Sequence, residues 1–196
     1  LTIAMTFQSQ GIDPQTGLYL FADLDDNGSV TAADNLKVTR TGVEYHGGLQ
    51  NTVRFGRFEL AFLFQFVKQV QASYRQAFGT PGRMGNQPVV VLGRWQPHNV
   101  EADFQKFSAS TVANTAYNRW RSSDASYSDA SFVRLKNVEL RWQVPSHWLS
   151  RMSIRNCYLY FQAQNLLTIT GYLGLDPENR FIPPLRTLTG GVSVNL

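Results

Sequence analysis

Every second residue of the stretch RFELAFLFQFVK is large and apolar: Phe58, Leu60, Phe62, Phe64 and Phe66. A strand sends alternate side chains to opposite faces, so this spacing predicts an extended segment with one apolar face. Glu59, Ala61, Leu63, Gln65 and Val67 form the other face. The segment RTLTGGVSVNL separates more cleanly, with Leu188, Gly190, Val192, Val194 and Leu196 alternating with Thr187, Thr189, Gly191, Ser193 and Asn195. NVELRWQVP sets Val138, Leu140, Trp142 and Val144 against Asn137, Glu139, Arg141 and Gln143. CYLYFQAQN sets Leu159, Phe161 and Ala163 against Tyr158, Tyr160, Gln162 and Gln164.

A soluble sandwich also alternates apolar-in and polar-out. These segments, however, run to about 10 residues where a usual strand has 5 or 6, and about 9–11 residues cross a bilayer at a tilt. Aromatics gather at segment ends, as at Phe55, Phe58, Trp142 and Trp148, where a membrane barrel places its interfacial girdles. Charged residues make up only 16% of the chain, against roughly 25% in an ordinary soluble domain. RFGRF joins two strands around Gly56 with almost no spare residues, and VPSHWLSRMS makes a modest link from Val144 to Ile154. The stretch from about Gln71 to Asp129, rich in Gly and Pro and ending in RSSDASYSDAS, reads as one long outer loop. The expected fold is all-β, with antiparallel strands forming an arc of a large transmembrane β-barrel. Five or six long strands cannot close in lipid by themselves, because open edges leave backbone groups unpaired.

The segment DLDDNGSVTAAD has the spacing of a 12-residue calcium loop. It puts side-chain oxygens of Asp23, Asp25 and Asn27 at positions 1, 3 and 5, with Gly28 at the turn and Ser29 offering its carbonyl at 7. Thr31 stands at 9 and Asp34 closes the loop at 12. The same residue types also make Asx-turns without metal. Leu18, Leu20 and Ala22 before it alternate with Tyr19 and Phe21, which predicts an entering strand rather than an EF-hand helix. A calcium ion is the one cofactor this pattern supports.

Other chemistry finds little in the chain. His46, His98 and His147 stand far apart, and there is no nucleophile elbow, phosphate-binding glycine loop or HExxH, so no enzyme is expected. A net charge of +4 without a basic run argues against nucleic acid. Cys157, the single cysteine, is expected to pack as a small apolar residue. No apolar stretch reaches the roughly 18 residues of a membrane helix, and no secretion signal is visible.

DASFVRLKNVEL (Asp129–Leu140) and QNLLTITGYLGLDPE (Gln164–Glu178) resemble the C-terminal segments of the SusC/RagA family of TonB-linked outer-membrane transporters. GIDPQTGLYLFADLDDNG, YHGGLQNTVRFGRFELAFLFQF, RW followed by Pro97, and PLRTLTGGVSVNL add matches in the family's order. The resemblance implies a closed barrel of about 22 strands with a plug in its lumen. It also implies energised import of oligosaccharides or peptides, a SusD-like surface lipoprotein as lid, TonB as a partner of segments lying upstream, and a Bacteroidetes-type outer membrane. Members usually end in an aromatic residue where this chain has Leu196. Glycan sites pair flat aromatics with hydrogen-bonding groups, and Arg94, Trp95, Tyr117, Trp120, Arg121 and Tyr127 in the long loop are the candidates for substrate binding. The alternative reading is a secreted all-β, calcium-binding adhesive module, which would stay soluble without detergent.

Overall fold

The structure, a computed structural model, describes residues 2–150, 154–179 and 182–195. In chain order the strands are β1 (Thr2–Thr6), β2 (Ser9–Ile12), β3 (Tyr19–Phe21), β4 (Lys37–Phe55), β5 (Phe58–Ala72), β6 (Tyr127–Asp129), β7 (Phe132–Gln143), β8 (Asn156–Thr170) and β9 (Thr187–Asn195). Among the described residues there are two α-helices, α1 (Thr111–Arg121) and α2 (Ser146–Leu149). The chain divides into two compact units, one of Leu1–Gly42 with Val70–Asp129 and one of Val43–Gln69 with Ala130–Leu196.

The second unit carries the long strands in the order β4-β5-β7-β8-β9, antiparallel throughout β5 to β9. β4 has 19 residues, β5 and β8 have 15 and β7 has 12, all beyond the length that crosses a bilayer. Gly56 at φ 58° allows β4 to turn into β5 through two residues. The register aligns the apolar positions across strands. Phe58 faces Trp142, which faces Leu159, which faces Val192; Leu60, Leu140, Phe161 and Gly190 make the next row. This face is exposed: Leu140 is 43% accessible, Phe161 50% and Val192 61%. The opposite rows are polar, as in Glu59–Arg141–Tyr160–Gly191.

A bulge preserves this division where strict alternation would break it. Leu63 faces Asn137 but the next residue, Phe64, faces Leu135, leaving Lys136 as an extra residue in β7. Across the other edge Asn165 and Leu166 fill the same level of β8, and Asn165 adopts φ 51° while its amide donates to the Leu185 carbonyl at 3.0 Å. Past the bulge the apolar row continues as Phe64–Leu135–Leu167 and Phe66–Val133–Ile169. Without it, Arg134 would share the face of Val138 and Leu140; with it, Arg134 pairs with Gln65 and Thr168 on the polar side.

Aromatic side chains fill places where the sheet has none. The ring of Phe66 lies where a Cβ on Gly47 would be, 2.4 Å from that position. Replacing Gly47 by valine should therefore force the ring out of its place and cost about 1–3 kcal/mol. A parallel Gly47→Val, Phe66→Ala variant should recover part of that loss in an unfolding titration. At one end of the sheet Phe58 stacks on Trp142 at 6.4 Å ring spacing, Trp148 meets Trp142 edge to face at 6.0 Å, and Phe55 stands out at 84% exposure. Cys157 is buried and unpaired, as expected. The link after Val144 contains α2, and its residues Arg151–Ser153, like the terminal Leu196, lie outside the described residues.

The first unit corrects one expectation. The stretch 71–129, expected as one long outer loop, contains α1, β6 and short 3-10 turns, and α1 packs into a core shared with Phe7, Tyr19 and Phe21. Ser110 caps α1 by accepting from the Ala113 N–H at 3.2 Å. Ala113, Ala116, Tyr117 and Trp120 then fall on one helical face and are buried. Trp120 stacks on Tyr19 at 5.5 Å and on Tyr117 at 5.8 Å, with Phe7 and Phe21 completing the cluster.

Candidate functional site

The acidic loop after β3 brings together three of its six predicted ligands. One carboxylate oxygen from each of Asp23, Asp25 and Asp34 lies within 4.8 Å of the others. Backbone turns impose this convergence. The Gly28 N–H donates to Asp23 at 2.7 Å, and Gly28 itself sits at φ 84°, closed to most side chains. Asp34 is fully buried and accepts from the N–H groups of Leu24 and Thr31, both at 2.7 Å, closing a capping box with Thr31. Those backbone donors, Thr31's first, hold the Asp34 carboxyl below the usual carboxylate range. Asp25 is pushed the other way, first by desolvation and then by its contact with Asp23.

Crowded carboxylates of this kind fit a hard divalent cation. The other predicted ligands, Asn27, Ser29 and Thr31, are engaged in local hydrogen bonds. The Asn27 side-chain oxygen accepts from the N–H and hydroxyl of Ser29, both at 2.9 Å, and the Thr31 hydroxyl accepts from the Ala33 N–H at 3.2 Å. The entering element is strand β3, as the alternation around Leu20 implied, and no helix precedes the loop.

The six aromatic and basic candidates divide. Trp120 and Tyr117 are both 3% exposed and pack the core of the first unit. The Tyr117 hydroxyl is taken by the Phe78 carbonyl. Arg94 lies over the Phe107 ring, 3.8 Å from its centroid, and Trp95 covers Gly17, where a Cβ would sit 2.5 Å from the indole. Tyr127 is half-buried on β6 opposite Ala72. Tyr117 and Trp120 are thus core residues and Arg94 and Trp95 pack locally, whereas Arg121 is exposed and lines a cleft.

That cleft, of about 620 Å³, is formed by the segment Phe78–Gln87 and one face of α1. Asn114, Asn118 and Arg121, four and three residues apart, line it from the helix, with Tyr117 between them. Arg83 lines it from the other side and donates to the Asn114 side-chain oxygen at 3.2 Å. Neither Arg83 nor the helix was singled out by the strand-based sequence reading; the Ser110 cap followed by an Ala113–Trp120 stripe is the signal that reveals α1.

In the second unit the motif segments meet through charge. Arg134, fully buried, donates to Asp176 at 2.5 Å and Glu178 at 2.7 Å, and to the Thr168 hydroxyl at 3.0 Å. The Gln69 amide donates to the Pro177 carbonyl at 2.7 Å, fixing the same loop. VRLKN and LDPE are thus bound to one another on the polar face.

No family model matches the chain. Over 169 residues, 86% of its length, it is 28% identical to TonB-dependent receptor P3 of Formosa agariphila. Over 170 residues it is 24% identical to TonB-dependent receptor P26 of the same organism. These stretches are 16% and 17% of those two receptors, so the chain spans a small part of the relatives it matches. Its fold superimposes on a chain of the RagAB peptide importer in the open-open state with a TM-score of 0.76 at 23% identity, covering 99% of this chain and 22% of that one. The closed-closed state gives 0.70. The chain is a relative of the TonB-dependent receptors, and its antiparallel strands have the fold of part of a RagA-like barrel.

Proposed function

We propose that this chain is the C-terminal part of the barrel of a TonB-dependent outer-membrane transporter that imports oligosaccharides or peptides. The observation that carries the reading is the two-faced sheet of five long strands. Its apolar face is continuous and exposed, and its polar face is rich in Gln, Tyr and Thr. Lipid covers the first without cost in such a barrel, and water or cargo meets the second. The plug, the TonB-contacting segment and the remaining strands belong to other parts of the protein, and the first unit lies on the extracellular side. A SusD-like lipoprotein closes over that side. Cells lacking the gene for the whole protein should lose energy-dependent uptake of a labelled oligosaccharide or peptide pool. Unchanged uptake of both pools would contradict the assignment.

The acidic loop has a structural role in this reading: calcium held by Asp23, Asp25 and Asp34 clamps the turn between β3 and β4. Calorimetric titration should show saturable calcium binding below millimolar concentration, weaker than a regular EF-hand because Asp34 reaches less far than Glu. Asp25→Asn should weaken it about tenfold or more. Absence of heat at millimolar calcium would leave the loop as a set of Asx-turns.

A further inference from the structure

The cleft between α1 and the Phe78–Gln87 segment is basic and polar. Its lining contains two arginines, Arg83 and Arg121, and the amides of Asn86, Gln87, Asn114 and Asn118, but no carboxylate. The Gln87 side-chain nitrogen is committed to the Thr80 carbonyl at 3.0 Å, whereas its side-chain oxygen is buried without a hydrogen-bond partner. Asn114 holds Arg83 in place, because its oxygen accepts from both Arg83 and the Thr80 hydroxyl, at 3.2 and 2.9 Å. Arg121 leaves the last turn of α1, whose end is fixed by the Arg121 carbonyl accepting from Gln76 and Ser126. Two arginines on anchored backbones therefore line the cleft together with Tyr117, in a volume that suits a ligand of a few residues.

We propose that this cleft binds a carboxylate-bearing cargo, Arg83 and Arg121 taking the carboxylate and the Asn118 and Gln87 amides its neighbouring polar groups. Guanidinium forks match carboxylates in geometry, and charge-assisted bonds are about twice as strong as neutral ones. A free peptide terminus and an acidic sugar offer the same group. The inference rests on the transport reading for its setting, and it deepens that reading from polar oligomers in general to acidic ones.

The test uses the purified whole transporter and two probe pairs: N-acetyl-tetraalanine with its C-terminal amide, and tetragalacturonate with its methyl ester. In calorimetry one acid should bind about tenfold or more tighter than its uncharged counterpart. Arg83→Gln with Arg121→Gln should abolish that preference. The single exposed variant Arg121→Gln should already remove most of it. Preference within the peptide pair assigns a terminal carboxylate; preference within the sugar pair assigns a uronate. Equal affinities in both pairs, no binding of either acid, or a preference that survives the substitutions would overturn the proposal. Intact uptake of neutral cargo alongside any of those results would leave the transport reading standing.

Discussion

Replacing Arg134 by methionine is expected to destabilise the second unit by about 3–5 kcal/mol. Arg134 is fully buried, and removing it leaves Asp176, itself 6% exposed, as a desolvated charge with no compensating cation at 2.5 Å. The pair as a whole contributes much less than this, since charge burial offsets most of its attraction. The triple variant Arg134→Met, Asp176→Asn, Glu178→Gln should therefore recover most of the loss. The measurement is the temperature at which the folded, fast-migrating form of the detergent-solubilised protein disappears on a gel. If Arg134→Met melted within a degree or two of wild type, the clamp between the two motif segments would be structurally idle.

Placing arginine at Leu140 should cost about 2–4 kcal/mol if that face meets hydrocarbon near the bilayer midplane, and less towards either interface. Leu140 lies in the row Leu60–Leu140–Phe161, 43% exposed to whatever surrounds the sheet. Gln162 sits one residue beyond Phe161 on the opposite face, opposite Glu139. Gln162→Arg is expected to be near neutral, because that face meets water and an acidic neighbour. In a soluble adhesive module the ordering would reverse, with an exposed Leu140→Arg tolerated. Refolding yield into lipid vesicles, compared for the two variants, separates the cases.

The long strands were legible because their alternation survives in the raw sequence wherever register is regular, as from Phe58 to Phe66 and from Thr187 to Asn195. Legibility failed at the Lys136 bulge. One extra residue there exchanges the faces, so Leu135 and Val133 join the apolar side while Arg134 moves to the polar one. Period-two reading cannot see that exchange, and the ion cluster of Arg134 with Asp176 and Glu178 went unrecognised although both motifs containing it stood out. Gly- and Pro-rich flanks hid α1 in the same way, making an 11-residue helix with its own cap resemble part of a loop. Trp120 and Tyr117 had the chemistry of a sugar platform but lie at i and i+3 of the buried stripe, and burial claimed them. In the acidic loop the three carboxylates of Asp23, Asp25 and Asp34 converge, while Asn27 and Thr31 make local hydrogen bonds that spacing alone does not distinguish from metal ligation.

All of these points depend on the sheet being one arc of a larger closed barrel, since a sheet that runs from β1 and β4 to β9 with an exposed apolar face is open rather than closed and is not stable alone in lipid. The direct measurement is the intact mass and heat-modifiability of the native protein in purified outer membranes, detected with an antibody to the DASFVRLKN segment. The account predicts an outer-membrane band several times the mass of a 196-residue chain that migrates faster before boiling than after. A soluble, heat-unmodifiable band at the mass of 196 residues alone would contradict it.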